Sequence, residues 1–177
     1  ALYNQGKVAE YNLETGNRLS FFLVPHIERV LKALNLKPDD MDYFVCGQGP
    51  GSFTGIRLGL STIKGFGFAL NKPLIGVPSL DALAMNVVGE CNKNIITAVD
   101  AKRGMVYCCI YKSRGEKYLR ILPHSLVTKE EFLKLIKSPC VITGDAISLY
   151  RDEIVKIIPE VRFSDKDAWY PKAHNII

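Results

Sequence analysis

The sequence predicts an α/β protein of two lobes, each a mixed sheet carrying covering helices. The order of elements carries that expectation: hairpin, helix, strand, helix and strand in the first half, then strands and helices again in the second. The halves share this order without a visible sequence repeat, and no low-complexity linker parts them. At 177 residues, 47% hydrophobic and 23% charged, the chain has material for a real core and no signature of wholesale disorder. Lobes over 1–90 and 91–177 are the expected division.

Short alternating runs at 1–4 and 7–12 flank Asn4-Gln5-Gly6-Lys7 and read as a hairpin. A helix is expected over 19–35, where Leu23, Ile27, Val30, Leu31 and Leu34 recur at helical spacing while Arg29 and Lys32 fall off the stripe. Pro25 either sits near its true start or kinks its first turn, and Pro38 with Asp39 and Asp40 closes it. The apolar run 43–46 is a short strand, followed by a helix over 54–70 with Ser52 or Thr54 as N-cap. A buried-type strand at 74–77 leads to a helix over 80–89 capped by Ser79.

The second half opens with a strand at 95–99, a turn at 100–104 and a return strand at 105–111. A third strand is expected at 118–122. Thr128 and Glu131 form a capping box for a helix at 129–137. The strand 141–143 ends in Gly144-Asp145, and a helix near 147–157 follows.

The net charge of +5 and pI of about 8.9 are compatible with a place near RNA, but scattered lysines and arginines describe an ordinary surface equally well. Cysteines stand at 46, 91, 108, 109 and 140, odd in number and without a CxxC. They read as small buried hydrophobes in a reducing, cytoplasmic setting, not as a disulfide or zinc framework. No apolar stretch of about twenty residues predicts a membrane span. The chain opens on Ala1-Leu2-Tyr3 without an initiator methionine or leader, which reads as a fragment.

Residues 49–57, G-P-G-S-F-T-G-I-R, lie between a strand and a helix. Glycines there allow close backbone approach, and a helix start offers N–H groups to an anion. The run is nevertheless neither a Walker A sequence nor G-x-G-x-x-G, and a tight strand-to-helix turn accounts for it without a ligand. The helix beyond holds Gly55, Gly59, Gly65 and Gly67, which together forfeit roughly 3–4 kcal/mol of helix preference. Gly55, Gly59, Thr62, Gly65 and Ala69 share a face of small residues, opposite Leu60 and Phe68 with Arg57 and Lys64. Such a helix is covered on several sides, by its own sheet and by a neighbouring helix of this chain or another. Either the helices at 19–35 and 54–70 pack inside one compact domain, or together they present a docking surface. Its contact residues would be Leu23, Ile27, Val30, Gly55, Arg57, Gly59 and Thr62.

The run G-P-G-S-F-T-G-I-R-L-G-L-S-T-I-K-G over 49–65 closely resembles the signature of the TsaB (YeaZ) family. The likeness continues through L-I-G-V-P-S-L-D-A-L-A at 74–84, D-A-K-R-G-M-V-Y at 100–107 and W-Y-P-K-A at 169–173. By that resemblance the fold is the actin/Hsp70-like (ASKHA, RNase H-type) two-lobed architecture. Its N-terminal strand, which ends in an Asp-Thr-Ser-type turn in family members, is missing here, and members continue beyond Ile177. The resemblance implies a non-catalytic scaffold that binds TsaD, a paralogue carrying the metal and catalytic site. With the small ATPase TsaE, the complex transfers a threonylcarbamoyl group to adenosine 37 of tRNA. Family members pair with TsaD or with a second copy through the helices matching 19–35 and 54–70. ATP and metal are then expected on the partner subunits, with no cofactor bound by this chain alone. Many members carry His near the start of the first helix, where this chain has Leu19.

Catalytic chemistry finds little footing in the residues. TsaD-type proteins hold metal through an H-x-x-x-H pair, whereas His26, His124 and His174 lie on separate elements. Asp100 stands where actin-like ATPases place phosphate-loop residues, followed by Lys102 and Arg103, but a turn-capping role explains it. Ser52 is not in a G-x-S-x-G elbow, and no His–Asp partner can be named for it. No catalytic residue is therefore assigned. The alternative is a nucleotide-binding or peptidase-like (glycoprotease) enzyme of the same superfamily; a self-contained RNA-binding protein is more remote.

Overall fold

In the computed structural model, which describes residues 1–4, 6–12, 18–89, 94–114 and 117–177, the expected hairpin is β1 (Leu2–Asn4) paired antiparallel with β2 (Lys7–Ala9). The first helix, α1 (Leu19–Ala33), runs two residues short of its expected end. Asn35 takes a left-handed backbone with φ 54°, and the Leu36 N–H returns to the Leu31 carbonyl, which stops the helix. Pro25 lies inside α1 rather than in its first turn, and one turn of the helix forgoes a backbone hydrogen bond there.

β3 (Phe44–Gly47) and β4 (Leu74–Val77) pair in parallel, joined by α2 (Phe53–Leu70). Of the two expected caps, Ser52 is the one used, its hydroxyl accepting the Gly55 N–H at 3.2 Å. Gly49 is buried with φ 90°, and a Cβ there would stand 2.6 Å from Ile56 Cδ1. The turn itself therefore demands glycine, which supports the reading of the glycine run as a tight connection.

The chain divides into two compact units, Ala1–Pro78 with Ile176–Ile177, and Ser79–Asn175. The expected division at residue 90 falls too late, because α3 (Ser79–Met85) packs on β5 and β6 of the second unit. This helix also ends earlier than expected. Asn86 leaves the helical path to donate its amide to the carbonyls of Ala168 and Tyr170, at 3.0 and 2.8 Å.

The second unit is built on β5 (Asn94–Asp100), β6 (Met105–Arg114), β7 (Lys117–Thr128), β8 (Cys140–Thr143) and β9 (Arg162–Phe163). The strand order is β7-β6-β5-β8-β9, antiparallel from β7 to β5 and parallel from β5 to β9. One face carries α4 (Lys129–Leu135) and α5 (Ile147–Ile157) over Ile96, Ala98, Val106, Cys108 and Ile142. The other carries α3 over Ile95, Cys109, Tyr111 and Val141. The capping box of Thr128 and Glu131 forms as the sequence predicts. The helix stops at Leu135 because Ile136 turns extended and drops into the core. No described helix is long and apolar enough to cross a membrane.

β8 leaves the sheet through Gly144, whose φ of 123° suits glycine alone. A Cβ at that position would overlap the Ala98 carbonyl, which accepts the Ala146 N–H at 3.2 Å. Gly144→Ala is expected to cost about 2–4 kcal/mol. Urea unfolding followed by the fluorescence of Trp169, the single tryptophan and a member of this unit, checks it.

Candidate functional site

In the first unit, α2 turns a stripe of side chains outward. At 100° per residue, Phe53, Arg57, Ser61, Lys64 and Phe68 fall within an arc of about 80°, and all five are exposed. Phe53 is 74% and Phe68 94% accessible. The Arg57 guanidinium lies over the Phe53 ring, 5.3 Å from its centroid, so cation and ring form one amphipathic platform. On α1, Phe21 and Val24 are likewise exposed.

The glycines of α2 do not share one partner, and the small-residue face expected of it is only partly covered. Gly59 looks at its own sheet, where a Cβ would come 3.0 Å from Cys46 Sγ in β3. Gly67 does the same against Leu74 of β4, and Gly55 faces Leu19 of α1 at 3.8 Å. Gly65 alone of the four opens onto free space. Thr62 spends its hydroxyl on the Leu58 carbonyl at 2.9 Å. Leu23, Ile27 and Val30 are half-buried on α1, and Ile27 lines a groove of about 660 Å³ with Val24, Leu31, Leu36 and Phe66. Of the seven residues nominated from sequence, Arg57 is the one the structure places on the outward stripe. Phe53 was passed over, although its spacing from Arg57 and Phe68 marks it.

The second unit holds a polar cluster that the sequence reading missed. Asp81, the third residue of α3, is 8% exposed, and its carboxylate accepts three hydrogen bonds. Tyr111 Oη donates to Oδ1 at 2.7 Å, Arg120 Nη2 to Oδ2 at 2.5 Å, and His124 Nε2 lies 2.7 Å from Oδ1. Cys109 is fully buried beside them and donates its thiol proton to the Leu122 carbonyl at 3.0 Å.

An irregular β6–β7 register assembles this group. Cys108 pairs with Ser125 and Ile110 with Leu122, so Pro123 and His124 together oppose Cys109. The bulge re-aims His124 toward Asp81, and a second slip sets Arg120 opposite Tyr111. Burial, with hydrogen bonds to Cys109 and Asp81, pushes the Tyr111 phenol far above its usual range. Burial also raises the Cys109 thiol. For Arg120, burial pulls the other way and is outweighed by the charge and hydrogen bond of Asp81, which hold it high.

Asp100 plays the turn role. Its carboxylate accepts from the Lys102 N–H at 2.8 Å and Nζ at 2.6 Å, and the hydrogen bond to Lys102 holds it below the usual carboxylate range. Its own N–H donates to Asp145 Oδ1 at 2.9 Å. His26, His124 and His174 lie on α1, β7 and a C-terminal 3-10 turn, apart in the chain as expected.

Comparison with known proteins fits this architecture. The pattern of the family described as "TsaD: tRNA N6-adenosine threonylcarbamoyltransferase" matches residues 17–162, and the chain belongs to that family. The tRNA threonylcarbamoyladenosine biosynthesis protein TsaB of Bacillus subtilis is 28% identical over 155 residues, 85% of this chain and 67% of that protein. TsaB of Escherichia coli is 30% identical over 116 residues, 63% of this chain and 49% of that protein. Among solved structures, YeaZ from Pseudomonas aeruginosa superposes with a TM-score of 0.80 at 18% identity, covering 98% of this chain and 80% of that one. The TsaB (YeaZ) likeness read from the sequence is thus shown, and so is the actin/Hsp70-like α/β fold.

Two substitutions follow from the geometry. Gly59→Leu must displace Cys46 and is expected to cost the first unit about 1–3 kcal/mol, read as an earlier melting transition by circular dichroism. Asp81→Ala strands a buried phenol and a guanidinium and should cost about 3 kcal/mol, whereas Arg120→Gln, whose side chain is 42% exposed, should cost under about 1 kcal/mol. Trp169 fluorescence in urea separates the two.

Proposed function

We propose that this chain is a non-catalytic, partner-binding subunit of the machinery that makes threonylcarbamoyladenosine in tRNA, and that it binds a TsaD-like paralogue through the outward face of α1 and α2. The observation that carries the reading is the exposed stripe Phe53, Arg57, Ser61, Lys64 and Phe68. Aromatic rings and arginine are the side chains that dominate binding energy at protein interfaces, and here they project from a regular helix. The names of the related TsaB proteins supply the process. In this reading a TsaE-like ATPase and the tRNA join through the complex, in the cytoplasm. ATP and the catalytic metal belong to the partner subunits, and a second copy of the chain competes for the same face.

Chemistry favours docking over catalysis in the first unit. Its glycines are committed to packing: Gly49 closes on Ile56, and Gly59 and Gly67 let α2 sit close to β3 and β4. What remains outward is apolar area framed by Arg57 and Lys64, with no carboxylate on the stripe. Such a surface suits an apolar partner face with an acidic rim.

Phe68→Asp combined with Phe53→Asp is expected to abolish co-purification with the TsaD-like paralogue while the far-UV circular dichroism and melting of the free chain stay unchanged. Retained pairing would overturn the docking face. Calorimetry of the isolated chain with ATP and magnesium tests the rival enzyme: micromolar binding accompanied by hydrolysis would replace the scaffold reading.

A further inference from the structure

The polar cluster on the α3 face of the second unit is costly for what it does mechanically. Five groups, Asp81, Cys109, Tyr111, Arg120 and His124, gather where the rest of that face is Leu80, Leu83, Val87, Ile95 and Val141. An apolar set of similar volume would stabilise the packing at least as well, because buried charges repay their desolvation poorly. The composition is specific: one carboxylate, one imidazole and one thiol, arriving from α3, β7 and β6.

The ligand-type atoms of Asp81, Cys109 and His124 all lie within 4.8 Å of one another, and among the described residues this is the one such group. We propose that these three side chains form a binding site for a zinc-class divalent cation. Tetrahedral zinc holds S, N and O ligands at about 2.0–2.3 Å, which puts neighbouring ligand atoms roughly 3.3–3.8 Å apart. The present atoms, all within 4.8 Å of one another, exceed that range by at most about 1 Å. The His124–Asp81 pair, now 2.7 Å apart, must open by roughly 0.6 Å or more as the metal replaces the proton between them. The thiol proton, now given to the Leu122 carbonyl, leaves to solvent, while the ligating imidazole stays neutral by carrying its proton on Nδ1.

The surroundings suit the role. Arg120 grips Oδ2 and leaves Oδ1 turned toward His124, as an outer partner fixes a carboxylate ligand. The carboxylate and thiolate together offset the dication beside that guanidinium. A mixed S, N, O set selects zinc and its congeners over magnesium or calcium, which take oxygen ligands. The His124 side chain is 29% exposed, so the cluster borders solvent on the β7 side. The site is independent of the docking face and of the function proposed for it.

Cobalt(II) is the probe, titrated into the full chain under reducing conditions. One equivalent is expected to raise a near-ultraviolet thiolate-to-cobalt band and visible bands of tetrahedral strength, both erased by zinc. Cys109→Ser should remove the charge-transfer band, while Cys46→Ser and Cys140→Ser keep it. Should Cys109→Ser fail to fold, His124→Gln decides the matter, since it changes a partly exposed residue on an edge strand. Its cobalt affinity should fall by about a hundredfold or more. A full complement of cobalt without the charge-transfer band would overturn the proposal. So would a band that survives Cys109→Ser, or an unchanged affinity in His124→Gln.

Discussion

β5 and β6 are covered on both faces, by α3 on one side and by α4 and α5 on the other, and most of the second unit follows from that two-sided burial. Alternate residues must satisfy different neighbours: Ile95, Cys109 and Tyr111 face α3, while Ile96, Val106 and Cys108 face α4 and α5. A slip of one residue would exchange the two sets, so the pairing register is strongly specified. Polar groups on such strands survive only with partners. Thr143 gives its hydroxyl to the Ala168 carbonyl at 2.7 Å, and Tyr111 gives its own to Asp81. A carboxylate as buried as Asp81 needs several donors at once, and the neighbouring edge strand supplies two of them. β7 can do so because an edge strand tolerates Pro123 and a bulge, neither of which a central strand would accept.

The first unit answers a different constraint. α2 gives up helix preference at its glycines and recovers it through proximity, since Gly59 and Gly67 bring the helix axis close to β3 and β4. That settles which side of α2 is structural. The remaining side carries two phenylalanines fifteen residues apart, about 22 Å along the axis. The separation is long for a small-molecule site and natural for the surface of another helix pair. A lone exposed aromatic says nothing, but two on one stripe, with an arginine over the first ring, are what the proposed docking face rests on.

Much of this was legible in the sequence where a local rule decides structure. The Thr128–Glu131 box, the cap at Ser52 or Thr54 and the α2 helix depend on residues close in sequence; the box formed as read, and Ser52 is the cap used. Elements set by distant contacts were not. A strand was expected at 118–122; β7 runs on through Pro123 to Thr128, which its edge position permits. α3 was assigned to the first lobe because sequence order cannot say which sheet a short helix will cover. The small-residue face of α2 was expected to allow close packing; Gly55 and Gly59 pack and Gly65 does not, and periodicity could not tell whether a sheet, α1 or another protein lies against it. Asp81, Cys109, Tyr111, Arg120 and His124 are spread over 44 positions with no motif spacing, and a register slip in β7 is what unites them.

The same cluster contains the residue types of a cysteine hydrolase, and its geometry shows why it is not one. A nucleophilic thiol must be accessible, must deprotonate readily, and must pass its proton to a histidine that an acid orients. Cys109 is fully buried, burial raises its pKa, and its proton goes to the backbone carbonyl of Leu122. His124 directs Nε2 at Asp81, and Asp81 is occupied by Arg120 and Tyr111 as well. Acid, base and thiol are thus arranged around a common centre instead of in a relay. Convergence on a point is what a bound cation needs, whereas a relay is what acyl transfer needs. The peptidase alternative therefore gains nothing from the one constellation of Cys, His and Asp among the described residues.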